Sequence, residues 1–62
     1  MKLKIVITMD NAAFDDGNNG GSEAARILQD LAAMLQADGP TREVVDLRDI
    51  NGNTVGEAKV TR

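Results

Sequence analysis

Residues 22–40 decide the fold, and they read Ser-Glu-Ala-Ala-Arg-Ile-Leu-Gln-Asp-Leu-Ala-Ala-Met-Leu-Gln-Ala-Asp-Gly-Pro. Apolar side chains recur there at steps of three and four residues, at Ala24, Ile27, Leu28, Leu31 and Leu35. This spacing predicts a helix over about residues 22–37 that buries one face. Ser22 is predicted to cap its N terminus, and Gly39-Pro40 is predicted to end it because proline cannot continue a helix.

The segment before the helix predicts a β-strand. Residues about 2–9 alternate in polarity, with Leu3, Ile5 and Ile7 on one side of the chain. A period of two in residues of this type is typical of a half-buried strand.

The segment after the helix predicts a β-hairpin over about residues 43–61. Asn51-Gly52 is predicted to form its turn, because both central positions of a type I′ turn need a positive φ. The apolar residues that follow, beginning at Val55, are out of phase with strict alternation. Gly56 is therefore predicted to mark a bulge that resets the register.

These elements predict a single α+β domain over residues 1–62, with the order β-α-β-β. One helix would pack on one face of a three-stranded sheet, which gives two layers. The strand order 1-3-2, with every pairing antiparallel, is favoured. The alternative places the first two strands side by side, in parallel, with a right-handed crossover.

The loop between the first strand and the helix is long and acidic. Residues about 10–21 read Asp-Asn-Ala-Ala-Phe-Asp-Asp-Gly-Asn-Asn-Gly-Gly, and a loop of this length is often functional or disordered. The net charge of the protein is −3, and residues 5–25 hold no Lys or Arg. The loop and the start of the helix are the predicted partner-binding site, with the residues Asp10, Phe14, Asp15, Asp16 and Glu23.

Phe14 is the only aromatic residue, and it has two interpretations. In the favoured one it folds back and closes the end of the core, because Phe is usually buried. In the other it stays exposed and anchors a partner protein.

The open face of the predicted sheet forms an alternative binding surface that is basic. Its residues are Lys2, Lys4, Arg42, Arg48 and Lys59. Such a face could meet phosphate groups, but it carries no aromatic side chain on which a base could stack. Cross-strand ion pairs with Asp46 and Glu57 are the favoured interpretation of these charges.

The residue inventory predicts no enzyme, no metal and no cofactor. The chain has no His, Cys, Tyr or Trp and only one Ser, so a nucleophile would lack a base to activate it. The Asp and Asn residues of the loop do not meet the spacing of a calcium-binding loop. No stretch of the sequence approaches 18 apolar residues, so we expect no membrane span, and the cytoplasm is the default location.

Three stretches of the sequence carry a resemblance to a known group of proteins. They are residues 10–14 (Asp-Asn-Ala-Ala-Phe), residues 23–28 (Glu-Ala-Ala-Arg-Ile-Leu) and residues 47–56 (Leu-Arg-Asp-Ile-Asn-Gly-Asn-Thr-Val-Gly). With these the chain resembles short uncharacterised proteins encoded by tailed phages and prophages. The resemblance implies the cytoplasm of an infected bacterium as the setting and transfers no functional residues.

The sequence therefore predicts a non-enzymatic protein-interaction module that binds and modulates a host or phage protein through its acidic loop. Inhibition of nucleic-acid-handling or defence machinery is one form that this could take, because a negative patch competes for surfaces that hold phosphates. Two alternatives stay open. One is a nucleic-acid accessory protein that uses the basic sheet face, and the other is a homodimeric structural or assembly factor. The chain could act as a monomer or as a homodimer.

Overall fold

The structure is a computed structural model, and it describes residues 1–39 and 43–61. Its elements are, in chain order, β1 (Lys2–Ile7), a 3₁₀ turn (Ala12–Phe14), α1 (Gly21–Asp38), β2 (Val44–Arg48) and β3 (Thr54–Thr61). The three strands form one antiparallel sheet in the order β1-β3-β2, and the helix packs with it. The predicted fold class and the favoured strand order are confirmed. The first strand ends at Ile7 rather than near residue 9.

The register of the sheet decides which side chains share a face. Leu3 lies opposite Val60, and Ile5 lies opposite Ala58, which in turn lies opposite Val45 of β2. Directly opposed residues in an antiparallel sheet point to the same side. The odd-numbered residues of β1 therefore face the side of the helix, and Lys2, Lys4 and the other even-numbered ones form the open face.

The helix start differs from the prediction. Ser22 does not cap α1, because the helix begins one residue earlier and Gly20 occupies the N-cap position. The carboxylate of Asp16 replaces the side-chain cap: it accepts the N–H groups of Gly20 and Glu23 at 3.1 and 3.0 Å. The long loop folds back on the helix that follows it, and one loop carboxylate satisfies free N–H groups of the helix start.

The helix ends as predicted, at the residue before Gly39. Gly39 has a φ of 69°, and its N–H donates to the carbonyl of Leu35 at 2.8 Å. Pro40, the second part of the predicted stop signal, lies outside the described residues.

The hairpin turn is longer than predicted. A type I′ turn needs a positive φ at both Asn51 and Gly52, and only Gly52 has one, of 84°. The prediction of a type I′ turn is therefore wrong. The side chain of Asp49 explains the difference, because its carboxylate accepts the N–H groups of Asn51 and Asn53, each at 2.9 Å, and so holds a wider loop.

The predicted bulge lies one residue from its expected place. Leu47 faces Gly56 whereas Arg48 faces Thr54, so Val55 is the extra residue of β3. Gly56 is required beside the bulge because a Cβ there would overlap the backbone carbonyl oxygen of Val6 on β1.

The core lies under α1 and against the β2 side of the sheet. Its buried apolar residues are Phe14, Ile27, Leu31, Leu47, Val55 and Ala58. Leu3 and Ile5 lie on the same face of the sheet, but they stay 46% and 40% exposed. The helix therefore covers only part of the apolar face, and the N-terminal half of β1 is left open. No helix within the described ranges is long and apolar enough to cross a bilayer.

Candidate interaction surfaces

Asp16 is a structural residue of the acidic loop. Its carboxylate accepts the N–H of Asn18 at 2.8 Å, in addition to those of Gly20 and Glu23. These hydrogen bonds, led by the one from Asn18, hold the pKa of Asp16 below its ordinary value because they favour the charged form. The carboxylate is fully engaged within its own loop and the helix start.

Glu23 is buried at the first turn of α1. The side chain is 7% exposed, and it forms an ion pair with the guanidinium of Arg26, with a distance of 2.6 Å between Oε1 and Nε. Its other oxygen accepts the N–H of Ile50, in the hairpin loop, at 2.8 Å. The hydrogen bond from Arg26 and the one from Ile50 lower the pKa of Glu23 against the opposing effect of burial. Glu23 therefore ties the helix to the hairpin.

Asp49 is a buried carboxylate in the connection between β2 and β3. It is 4% exposed, and the side-chain amide of Asn11 donates to it at 2.7 Å. Burial raises the pKa of Asp49, but the hydrogen bonds from Asn53, Asn11 and Asn51 outweigh it, and the pKa lies below its ordinary value. The alternation of Asp49 with Asn51 and Asn53 is the sequence signal that indicates a side-chain-bonded loop.

These residues form one polar cluster, which comprises Asn11, Glu23, Arg26, Asp49 and Asn53. It joins the loop after β1, the start of α1 and the β2–β3 connection. Every buried side-chain nitrogen and oxygen atom in the described residues has a hydrogen-bond partner. A network that satisfies itself in this way serves to hold the fold together.

Phe14 belongs to the core, and its interpretation as a core residue is confirmed. The side chain is 5% exposed, and it packs against the first residues of the helix segment. A Cβ at Gly20 would lie 3.2 Å from that of Phe14, so the two segments are in close contact. The proposed role of Phe14 as an exposed anchor is therefore wrong, because burial of the ring inside the fold is favoured over its exposure to water.

The predicted partner-binding set thus separates into two groups. Phe14, Asp16 and Glu23 serve the fold, although Asp16 is exposed and only the other two are buried, whereas Asp10 and Asp15 are exposed and lie outside these contacts. The structure does not bring all five residues together on one surface.

Asp10 instead joins an acidic groove at one end of the open sheet face. The groove has a volume of about 490 Å³, and it is lined by Thr8, Asp10, Asn11, Asp46, Thr54, Val55, Gly56 and Glu57. Asp46 on β2 lies directly opposite Glu57 on β3. The acidic groove is therefore built by loop and sheet residues that are distant in the sequence.

The basic residues of the open face gather at its other end. Lys4 lies directly opposite Lys59, and Lys2 is two residues away on the same face. We call Lys2, Lys4 and Lys59 the basic end. Arg48 is separate from it, because its side chain donates to the carbonyl of Gly52 in the hairpin loop at 3.1 Å. Arg42 lies outside the described residues.

Cross-strand ion pairs do not explain these charges. Within residues 1–39 and 43–61 the only ion pairs are those that Arg26 makes with Glu23 and Asp30. Like charges lie opposite each other instead, with Lys4 against Lys59 and Asp46 against Glu57. Such pairs are destabilising in a sheet. The open face is therefore divided into a basic end and an acidic groove.

No protein-family model matches this sequence, and no curated protein and no solved structure is similar to it. The resemblance to phage proteins stays a sequence-based prediction. The surfaces described above therefore carry the functional interpretation.

Proposed function

We propose that this chain is a non-enzymatic protein-interaction module that binds a basic surface of a partner protein through its acidic groove. The observation that carries the proposal is the direct opposition of Asp46 and Glu57 beside Asp10 on an exposed face. Opposed like charges cost stability, and such departures from good packing rules are concentrated at functional sites. A Lys or Arg side chain of a partner would relieve this repulsion.

The chemistry of the groove suggests the class of partner. A surface that normally holds phosphate groups is rich in Lys and Arg, and a carboxylate patch can compete for it. Nucleic-acid-handling and defence proteins of a bacterium have such surfaces. The sequence resemblance to phage proteins supports this setting, and it implies the cytoplasm of an infected cell as the location. We propose that the chain modulates such a protein by occupying its anion-binding site.

The carboxylates with shifted pKa values support a non-enzymatic role, because they are occupied by hydrogen bonds within the fold. Asp16, Glu23 and Asp49 have lowered pKa values, and all three are held by hydrogen bonds within the fold. The described residues contain no group of three His, Cys, Asp or Glu side chains placed to hold a metal ion. These features favour binding over chemistry as the role of the exposed acids.

A comparison of two triple variants tests the proposal. The groove variant is Asp10→Asn/Asp46→Asn/Glu57→Gln, and the control variant is Asp15→Asn/Asp38→Asn/Glu43→Gln. Both remove three exposed carboxylates, so they match in net charge and differ only in position. Each tagged chain is used to capture proteins from nuclease-treated bacterial lysate, and the captured proteins are identified and then measured with purified components.

We expect the unaltered chain and the control variant to capture the same protein and the groove variant to lose it. Removing the repulsion between Asp46 and Glu57 should not weaken the sheet, so we expect the groove variant to be folded, which circular dichroism checks. Equal capture by all three chains, or equal loss by both variants, would contradict the proposal.

The basic end supports a second candidate, a nucleic-acid accessory protein. Lys4 and Lys59 have no carboxylate within ion-pair distance among the described residues, so they are available to phosphates. With three lysines in contact, the affinity for single-stranded DNA should fall with salt with a logarithmic slope of about −2. Binding that follows this slope and disappears in Lys4→Ala/Lys59→Ala, but not in the groove variant, would favour this candidate over the first.

A further inference from the structure

Strand β1 presents an unpaired edge of apolar residues. The order β1-β3-β2 places β1 at the edge of the sheet, and nothing within the described part of the chain covers its outer side. The N–H of Thr8 donates to the carbonyl of Val55 on β3 at 2.7 Å. Because backbone groups alternate in direction along an antiparallel strand, those of Leu3, Ile5 and Ile7 point outward. A strand edge of this kind is a template for pairing with another chain.

The side chains of β1 are exposed to an extent that indicates a missing neighbour. Leu3 is 46%, Ile5 40% and Val6 62% exposed. An apolar groove of about 340 Å³ continues along the helix side of the same strand, lined by Met1, Lys2, Leu3, Leu35 and Val60. The edge has no bulge and no proline to protect it, and its charged residues, Lys2 and Lys4, lie on the open face rather than on the apolar side.

The surface area of the whole chain agrees with a missing partner. The chain exposes 4471 Å². A compact monomer of its mass of 6.6 kDa is expected to expose roughly 3,900 Å². The excess of about 600 Å² approaches the ~800 Å² that each partner buries in a standard interface.

We propose that β1 pairs antiparallel with β1 of a second copy of this chain, about a two-fold axis at Ile5. The product is a continuous six-stranded sheet. In this register Ile5 lies opposite Ile5 of the second copy, and Leu3 lies opposite Ile7 of the second copy. The outward N–H and C=O groups of all three residues are then hydrogen-bonded, and their side chains form one apolar strip on the helix side.

Charge and strand length together favour this register. An axis at Val6 would pair only residues 5–7 of β1, whereas the axis at Ile5 pairs residues 3–7. A two-fold axis at Lys4 would place that lysine opposite its own copy, and an axis at Leu3 would place Lys2 opposite Lys4. The axis at Ile5 places Lys4 opposite Val6 of the second copy, and so avoids both contacts. On the open face, Glu57 lies opposite Val6. In this register Val6 lies opposite Lys4 of the second copy, which lies opposite Lys59 of that copy. The acidic part of each open face is thus aligned with the basic end of the other.

Single cysteine substitutions test both the contact and its register, because the chain contains no cysteine. Opposed residues of a hydrogen-bonded antiparallel pair have Cα atoms about 5.5 Å apart, within the range of a disulfide. We expect Ile5→Cys to form a disulfide-linked dimer under mild oxidation at least about tenfold faster than Lys4→Cys or Val44→Cys. Val44→Cys is the control, because Val44 lies on the other edge strand and is 42% exposed. Fastest linkage of Lys4→Cys would overturn the register, and equal rates for all three would overturn the contact.

Sedimentation of the full chain tests the dimer without any cross-link. The unaltered chain is expected to pass from monomer to dimer between about 10 µM and about 1 mM, with a thermal midpoint that rises with concentration. Ile5→Lys should weaken self-association at least about tenfold, whereas Val44→Lys should not, because a charge protects only the edge on which it stands. Circular dichroism establishes that both variants are folded. An unaltered chain that remains monomeric at every concentration would refute the proposal.

Discussion

At the scale of single residues, the acidic side chains divide according to what surrounds them. Glu23 is buried beside Arg26, and Asp16, although exposed, accepts backbone N–H groups, whereas Asp10 and Asp15 are exposed. The residue type is the same in each case, but a carboxylate that is engaged by N–H groups or by Arg26 is less available to a partner. The distinction matters for mutagenesis, because replacing an engaged carboxylate alters folding before it alters binding.

The helix cap provides a test at this scale. Asp16→Ala should lower the thermal midpoint by several degrees, because Gly20 and Glu23 then lose the acceptor for their N–H groups. Ser22→Ala should leave the free energy of unfolding within about 0.5 kcal/mol of that of the unaltered chain, since Ser22 does not cap the helix. Thermal denaturation of the two variants measures both effects. A larger loss for Ser22→Ala than for Asp16→Ala would contradict the assignment of the cap.

At the scale of elements, the sheet is organised by position along its strands. On the open face the basic end, the acidic pair and Arg48 follow one another from one end of β2 and β3 to the other. On the opposite face the helix covers the β2 side and leaves β1 exposed. The same β1 strand thus contributes lysines to one surface and an apolar edge to another.

A charge reversal at Lys59 tests how much the opposed lysines, Lys4 and Lys59, lower the stability of the sheet. Lys59→Glu places a carboxylate opposite Lys4, and it should raise the free energy of unfolding by about 0.2–1 kcal/mol. Lys2→Glu is the control, because Lys2 lies opposite Thr61 and gains no opposed charge. Urea denaturation compares the two variants with the unaltered chain. A lower free energy of unfolding for Lys59→Glu than for Lys2→Glu would show that the opposed lysines do not destabilise the sheet.

At the scale of the whole molecule, the polar cluster joins three segments that are far apart in the sequence. Asn11 donates to Asp49 across 38 positions, and the N–H of Ile50 donates to Glu23 across 27. The apolar core has six buried residues among those that the structure describes, so a chain of this size depends on such additional links. Removing a charge from the cluster should therefore lower the free energy of unfolding of the whole domain.

Acid titration tests the role of the cluster. The folded state lowers the pKa values of Asp16, Glu23 and Asp49, so it binds fewer protons than the unfolded chain. The contribution of these groups to stability is complete at neutral pH. It is lost as the pH falls below the ordinary values, which are 4.5 for Glu23 and 3.8 for Asp49, toward the lowered values of the folded state.

We expect the free energy of unfolding, measured by urea denaturation, to be nearly constant from pH 7 to about pH 5 and to decrease steadily below that. Asp49→Asn should be less stable at neutral pH and should have a shallower decrease in acid, because one of the shifted groups is gone. Parallel decreases for the two proteins would show that Asp49 does not contribute to the pH dependence.

The sequence by itself determined the elements of this protein and reduced their possible arrangements to a few. The spacing of Ile27, Leu28 and Leu31 and the alternation around Ile5 are local patterns, and each predicts its element because the repeat of the side chains matches the repeat of the backbone. With one helix between a strand and a hairpin, few topologies remain, and the observed order β1-β3-β2 is one of them.

Only the tertiary structure decided which charges are available for binding. Burial of Asp49, capping by Asp16 and the meeting of Asp10 with Asp46 and Glu57 depend on contacts between segments that are distant in the sequence. Apart from the alternation of Asp49 with Asn51 and Asn53, the sequence around these carboxylates carries no local signal that separates a buried state from an exposed one, because burial comes from the rest of the fold. The predicted site therefore contained Phe14, Asp16 and Glu23, which serve the fold, and omitted Asp46 and Glu57.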